Sequence, residues 1–323
     1  MSAQLAPGTE DGFVHEAAIY GTDEELLGTV VPFLRDGSAA GEPALLATDP
    51  RREQLVRGAL GDGAGVTFLD SGERYASPLA TVQANRELFT SLAEAGAARI
   101  RYVGQIPHPS AGASWDDWAR YEAAVNHFYA ALPVWSICPY DTRDVPAHVL
   151  ADVERTHHRL AAPGGIHRVN ERFQDPAAYL ADRFTARPDP LQRTAPAAEL
   201  TGPTMAAARE AVARVAGRAT LSNEDAEGLL LGVSEAVTNA YVHGRPPVTL
   251  RAWSARDRVV VTVSDTGPGP ADPFAGFVPV GRDPGAGGFG LWVTRQVCGQ
   301  VDAIRTAEGF TLRLITTAPV IPC

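Results

Sequence analysis

Leu229-Leu-Leu-Gly-Val-Ser-Glu235-Ala-Val-Thr-Asn239-Ala-Tyr241-Val-His243-Gly244 is the stretch from which the fold is read. Leu230, Val233, Val237 and Tyr241 recur at helical spacing and predict an apolar stripe. Glu235 and Asn239 stand four apart, hence on one face beside that stripe, and His243 extends the row. A carboxylate, a carboxamide and an imidazole so close to a buried stripe are costly unless they find partners. The other reading of this helix alone is a solvated polar face.

Two further stretches follow. Val259-Val-Val-Thr-Val-Ser-Asp265-Thr-Gly267-Pro-Gly269-Pro270 runs a strand into an aspartate and then into close-set glycines. An aspartate at a strand end can accept from an amino group, and glycines let a backbone approach a flat ligand. A plain turn after a strand looks the same. Gly285-Ala-Gly287-Gly288-Phe-Gly290-Leu-Trp-Val-Thr-Arg295 opens a helix from a glycine-rich loop, and free N–H groups at a helix start favour a phosphate. A capped connection is the alternative.

Taken in order, E-x-x-x-N, D-x-G-x-G and a G-G-x-G-L helix start resemble the N, G1 and G2 boxes of the GHKL ATPases. Gly309-Phe-Thr311-Leu-Arg-Leu resembles the Gly-x-Thr strand that follows them. The resemblance covers about Leu221 to Ile315. Within that superfamily, Ser234 to Gly244 resembles the anti-sigma factor serine kinases more than the histidine kinases. The resemblance implies an α+β GHKL (Bergerat) sandwich that binds ATP with Mg²⁺. It implies Asn239 as the Mg²⁺ ligand and Glu235 as general base toward an attacking hydroxyl. It assigns Asp265 to the adenine amino group, with Thr311 helping through water, and Gly267 and Gly269 to the adenine pocket. Gly287, Gly288 and Gly290 would cover the phosphates. All 28 basic residues are arginine, so no Walker A lysine exists. Phosphate charge would be met by Mg²⁺, N–H groups and Arg282 or Arg295, the last of which reads equally as a helix-surface residue.

The second half reads as helices Pro203–Ala219 and Asn223–His243, strands Pro247–Trp253 and Arg258–Asp265, a helix Leu291–Cys298 and a strand Phe310–Thr316. That pattern predicts helices on one face of a mixed sheet. The first half alternates differently. Helices are expected at Asp23–Leu34, Asp49–Leu60, Val82–Ala95 and Trp115–Ala131. Strands are expected at Pro43–Ala47, Val66–Leu69, Ile100–Val103 and Val134–Cys138, giving an α/β domain with a mainly parallel sheet. Phe13-Val-His15-Glu-Ala-Ala-Ile-Tyr20, Leu26 to Gly37, Tyr121-Glu-Ala-Ala-Val-Asn126 and Ile137-Cys-Pro-Tyr140-Asp141 resemble motifs of the MEDS sensory domain. That resemblance implies a RecA-like fold, here without Walker A, and a sensory role for an unnamed small-molecule signal. His15 reads as a structural histidine. The expected division is a MEDS-like domain over 10–160, a linker over 161–200 with one short helix near Ala177–Thr185, and the ATPase over 201–318.

Composition narrows the function classes. Residues 1–160 carry 12 arginines against 22 acidic residues, whereas the remainder is balanced. An acidic half and a neutral half argue against direct nucleic-acid binding. No apolar run reaches the roughly 18 residues of a membrane helix, and no signal peptide is visible. Cys138, Cys298 and Cys323 are scattered, which fits a reducing cytoplasm, and the first and second read as buried apolar residues. Arg155-Thr-His157-His158-Arg-Leu-Ala-Ala-Pro163 loosely echoes a histidine kinase phosphoacceptor, but a glycine pair and a proline-punctuated stretch follow at once.

The expectation is therefore a cytoplasmic bacterial regulator in which a sensory domain controls a GHKL kinase. By resemblance, the kinase phosphorylates Ser or Thr on an anti-anti-sigma (STAS-type) partner, with a sigma factor as a second partner and a homodimer left open. The alternatives are a histidine kinase-like protein and a binding module that uses ATP without phosphotransfer.

Overall fold

The computed structural model describes residues 12–107, 115–183, 188–277 and 289–318. The chain divides into two compact units at Arg183/Phe184.

The first unit runs β1 (Val14–Tyr20), α1 (Asp23–Ala39), β2 (Ala44–Ala47), α2 (Pro50–Leu60), β3 (Val66–Phe68), α3 (Ser71–Arg74), α4 (Pro78–Glu94), β4 (Ile100–Gly104), α5 (Trp115–Phe128), β5 (Val134–Asp141), α6 (Ala147–Thr156), β6 (Arg159–Ala162), β7 (Ile166–Val169) and α7 (Pro176–Arg183). Its seven strands lie in the order β3-β2-β4-β5-β1-β6-β7. Every pair is parallel except the β6–β7 hairpin, which turns through Gly164 and Gly165 at φ +83° and +68°. Both glycines occupy the left-handed region that a side chain disfavours. The α/β expectation holds, and parallel strands covered on both faces explain why β2 and β5 are buried throughout.

β1, which its charges disguise as a non-strand, lies inside this sheet between β5 and β6. His15 and Glu16 are buried there, and each finds partners from remote segments. Glu16 meets the Arg159 guanidinium at 3.2 Å and the His167 imidazole at 2.5 Å.

The second unit begins with a 3-10 turn (Pro190–Arg193). β8 (Ala198–Thr201), α8 (Met205–Ala216), α9 (Asn223–Val242), β9 (Thr249–Ser254), β10 (Arg258–Asp265), α10 (Phe289–Val297), β11 (Gln300–Thr306) and β12 (Gly309–Thr317) follow. The sheet order is β11-β12-β10-β9-β8, and every pair is antiparallel, not mixed as expected. The strands β8 and β11 were not anticipated. β8 is four residues of alternating half-burial inside the supposed linker, and β11 begins where α10 ends.

The segment 161–200 is accordingly not a linker. It carries the end of β6, β7 and α7 in the first unit, and the 3-10 turn with β8 in the second. Short elements dense in proline and glycine mimic a linker, yet Tyr179 of α7 is fully buried and Leu191 packs on Trp253, Val260 and Ile315.

Helix α9 positions the site. Ser222 caps it by accepting the Asp225 N–H at 3.0 Å. It ends at Val242 with His243 as its C-cap, and Pro246 and Pro247 beyond offer no N–H to continue it. Its buried face is Leu229, Gly232, Val233, Ala236, Val237 and Ala240, rotated from the predicted stripe. Tyr241 is 51% exposed and its hydroxyl donates to the Pro203 carbonyl. This face packs on Val259, Val261 and Val263 of β10 and on Leu312 and Leu314 of β12. A Cβ on Gly232 would stand 2.6 Å from Cys298 Sγ, so only glycine lets the end of α10 lie this close to α9. Burial pushes the Cys298 thiol up to about 12, leaving an inert core thiol as expected.

Candidate functional site

Between α9, the ends of β10 and β12, the Gly269–Pro270 turn and Leu291 of α10 lies a cavity of about 320 Å³. Its walls are Ala236, Ala240, Val263, Leu291, Phe310 and Leu312, with Asn239, His243 and Asp265 as its polar side chains. A mostly apolar hollow of this size with a few convergent polar groups has the make-up of a small-ligand site.

Asp265 ends β10 and is 7% exposed. Its Oδ1 accepts the N–H of Gly267 at 2.6 Å and of Arg245 at 3.1 Å. Oδ2 takes part in neither bond, so one oxygen of the cavity's carboxylate stays available to a ligand. The two bonds also lace the end of α9 to the end of β10, reinforced by Thr266, whose hydroxyl donates to the Pro246 carbonyl. The approach is tight: a Cβ on Gly244 would lie 2.4 Å from Asp265 Cγ. Gly269 lies against Phe310 at φ +70°, and a Cβ there would meet the ring at 2.3 Å.

Asn239 lines the cavity, and Glu235 stands one turn back along α9. Both side chains converge on the first turn of α10. A Cβ on Gly290 would lie 2.4 Å from Glu235 Oε2 and 3.4 Å from the Asn239 carboxamide. The carboxylate and carboxamide thus face a helix start, where free N–H groups favour negative charge.

Most of the expected residues meet here, but not all. Thr311 does not enter the cavity: it pairs with Ser264 on the opposite face of the sheet, their hydroxyls 2.8 Å apart. Side chains alternate along a strand, so Phe310, opposite Asp265, and Leu312 supply the cavity wall instead. Gly267 sits beneath the Asp265 carboxylate and contributes its N–H. Gly287, Gly288 and Arg282 lie outside the described residues. Arg295 donates to the Val301 carbonyl at 3.0 Å and lies over the Phe277 ring, which holds it away from the helix start. Sequence reasoning does not single out Gly244 or Phe310; the position of Gly244 directly after His243 is the available signal for the first, and only the pairing of β12 with β10 marks the second.

In the first unit, His157 is fully buried, and its Nδ1 bonds the Val153 carbonyl at 2.9 Å. His158 is half-buried before β6, and burial pushes its imidazole down to about 4. Neither lies on a helical hairpin. A cavity beside His15 and Cys138 measures about 20 Å³, room for a water and not for a nucleotide.

Fold and site together define an α/β domain followed by an α+β domain of the GHKL ATPase type. Residues 14–158 match the family described as MEDS, the methanogen/methylotroph DcmR sensory domain. Residues 197–316 match the histidine kinase-like ATPase domain. The N-terminal domain is a MEDS domain and the C-terminal one a histidine kinase-like ATPase domain, the composition of a kinase-like signalling regulator. Among solved structures, the histidine kinase domain of the E. coli osmosensor EnvZ is 17% identical, with 40% of this chain and 94% of that chain covered and a TM-score of 0.24. No curated protein matches the chain. Among the described residues no helix is long and apolar enough to cross a membrane.

Proposed function

We propose that the C-terminal domain holds ATP·Mg²⁺ in the cavity and passes the γ-phosphoryl group to a Ser or Thr hydroxyl of an anti-anti-sigma (STAS-type) partner. In this reading the MEDS domain governs the activity in response to a small-molecule signal, and a sigma factor is a second partner. The observation that carries it is the Asp265 carboxylate at the end of an apolar slot, one oxygen held by backbone N–H groups and the other left for an amino group. The slot leads along α9 to Asn239 and Glu235.

Adenine would lie against Phe310, Leu312 and Ala240, with its amino group donating to Asp265 Oδ2. In this reading the Asn239 carboxamide holds Mg²⁺, which would neutralise phosphate charge in a chain without lysine. Glu235, whose carboxylate lies beside Gly290 at the α10 start, would accept the proton of an attacking hydroxyl. Free N–H groups at that helix start would meet phosphate oxygens. The burial of His157 and its place between α6 and β6 favour an acceptor on another protein over an internal histidine.

The test uses the full chain with γ-labelled ATP, Mg²⁺ and candidate STAS-domain proteins. The expected product is acid-stable label on a partner Ser or Thr. Acid-labile label on a histidine would turn the assignment to a histidine kinase. ATP-dependent association without label would turn it to a binding module.

A further inference from the structure

Four side chains from distant parts of the sequence meet in the interior of the MEDS domain: His15 on β1, Glu122 on α5, Cys138 on β5 and His157 just after α6. All four are buried, and one donor atom from each lies within 4.8 Å of all the others. His15 Nε2 is 3.3 Å from Glu122 Oε2 and 3.4 Å from Cys138 Sγ, and His157 Nε2 is 3.3 Å from the same Glu122 oxygen. Glu122 Oε2 and His157 Nε2 have no hydrogen-bond partner.

Hydrogen bonding decides which ring nitrogens carry protons. The Asn126 amide nitrogen donates to the carbonyls of Glu122 and Thr156 at 3.0 and 2.8 Å, so its Oδ1 must accept. His15 Nδ1, 3.1 Å from that oxygen, is therefore the donor. His157 Nδ1 faces the Val153 carbonyl at 2.9 Å and must donate as well. In its neutral form each imidazole turns a bare Nε2 lone pair toward the centre. There it faces a carboxylate oxygen and a sulfur, which are also lone-pair donors. Lone pairs at 3.3 Å repel unless something positive lies between them.

We propose that these four side chains form a zinc site, two imidazoles, one carboxylate oxygen and one thiolate. Zinc bonds to nitrogen, oxygen and sulfur of about 2.0–2.3 Å in tetrahedral array put neighbouring ligand atoms about 3.3–3.6 Å apart. The three close separations already match that spacing. Both imidazoles donate Nδ1–H to an oxygen outside the cluster, and the Tyr140 hydroxyl donates to Glu122 Oε1 at 2.9 Å, leaving Oε2 for the ion. Such outer partners fix ligand orientation and basicity. Four protein donors leave no open position, so the ion would tie β1, β5, α5 and the end of α6 together as a structural centre. Two protons, one on Glu122 and one on Cys138, would satisfy the same four atoms. Zinc binding would displace both, and the two states differ in metal content.

The test begins with untagged full-length protein, grown with zinc and purified without chelator. Elemental analysis should find about one zinc per chain. Cobalt exchanged into the site should give tetrahedral d–d absorption with a thiolate-to-cobalt charge-transfer band. Cys138→Ser should abolish that band. Tyr140→Phe, which loses only an outer partner, should weaken zinc binding about 10- to 100-fold. Circular dichroism verifies that each variant is folded. Metal-free wild-type protein that is folded and takes up neither ion overturns the proposal, as does a cobalt spectrum unchanged by Cys138→Ser.

Discussion

Asp265 offers a ligand one oxygen, because the other is held by the N–H groups of Gly267 and Arg245. Asp265→Asn preserves an acceptor for those two bonds and puts an amide donor where the adenine amino group would donate. Opposed donors in a buried site cost about 1–3 kcal/mol. Affinity for ATP and ADP should therefore fall about 5- to 150-fold while the melting temperature stays near that of the parent; calorimetry and a thermal melt check both. Unchanged affinity would reduce Asp265 to a turn residue. Glu235 and Asn239 share a helix face yet differ in job. Glu235→Gln keeps the shape and the polar contact but cannot take a proton, and general-base help is worth about 10²–10⁴-fold. Single-turnover transfer to a Ser or Thr acceptor should drop by that factor with ATP affinity within a few fold. Transfer at the parental rate would remove Glu235 from the base role.

At the scale of elements, α9 carries the site because it is well started and well packed. The Ser222 hydroxyl accepts the Asp225 N–H and donates to the Asp225 carboxylate at 2.6 Å. Ser222→Ala removes both bonds at an exposed helix start. The loss should be about 0.5–2 kcal/mol of C-terminal domain stability, read from denaturant unfolding. ATP affinity should be unchanged, since the cap lies at the opposite end of α9 from Asn239. An unaltered unfolding midpoint would show the cap to be dispensable. Strand β12 teaches a different lesson. Its existence was legible from alternating residues, but its facing was not. Nothing local decides whether Thr311 or Phe310 points at the helices; pairing of Asp265 with Phe310 does.

At the scale of the whole molecule, the division at Arg183/Phe184 predicts how the chain can be cut. A fragment of residues 184–323 should fold and bind ATP·Mg²⁺, and a fragment of residues 1–183 should fold and not bind it. Calorimetry on both decides, and nucleotide binding by the first unit would overturn the placement of the site. Cutting at residue 160 should fail for a physical reason. It removes β7, and with it His167, a partner of the fully buried Glu16. Leaving a buried acceptor without its hydrogen-bond partner costs about 1–3 kcal/mol. The 1–160 piece should melt well below the 1–183 piece by circular dichroism, and equal melting would show that β6, β7 and α7 are dispensable.

The sequence by itself determined the elements whose signals are local: α9 with its Glu235/Asn239 pair, the strand running into Asp265, and the mainly parallel sheet of the first half. Helical periodicity, strand composition and glycine spacing are written within a few residues of each other. Tertiary structure alone decided β1, whose His15 and Glu16 look solvated until β5, β6 and β7 bring their partners. It decided that 161–200 is structured, because Tyr179 is buried and Leu191 packs on Trp253, Val260 and Ile315 from far along the chain. It also decided the meeting of His15, Glu122, Cys138 and His157. Their spacing matches no local ligand motif, and only a parallel sheet with its crossover helices brings β1, α5, β5 and the end of α6 to one point.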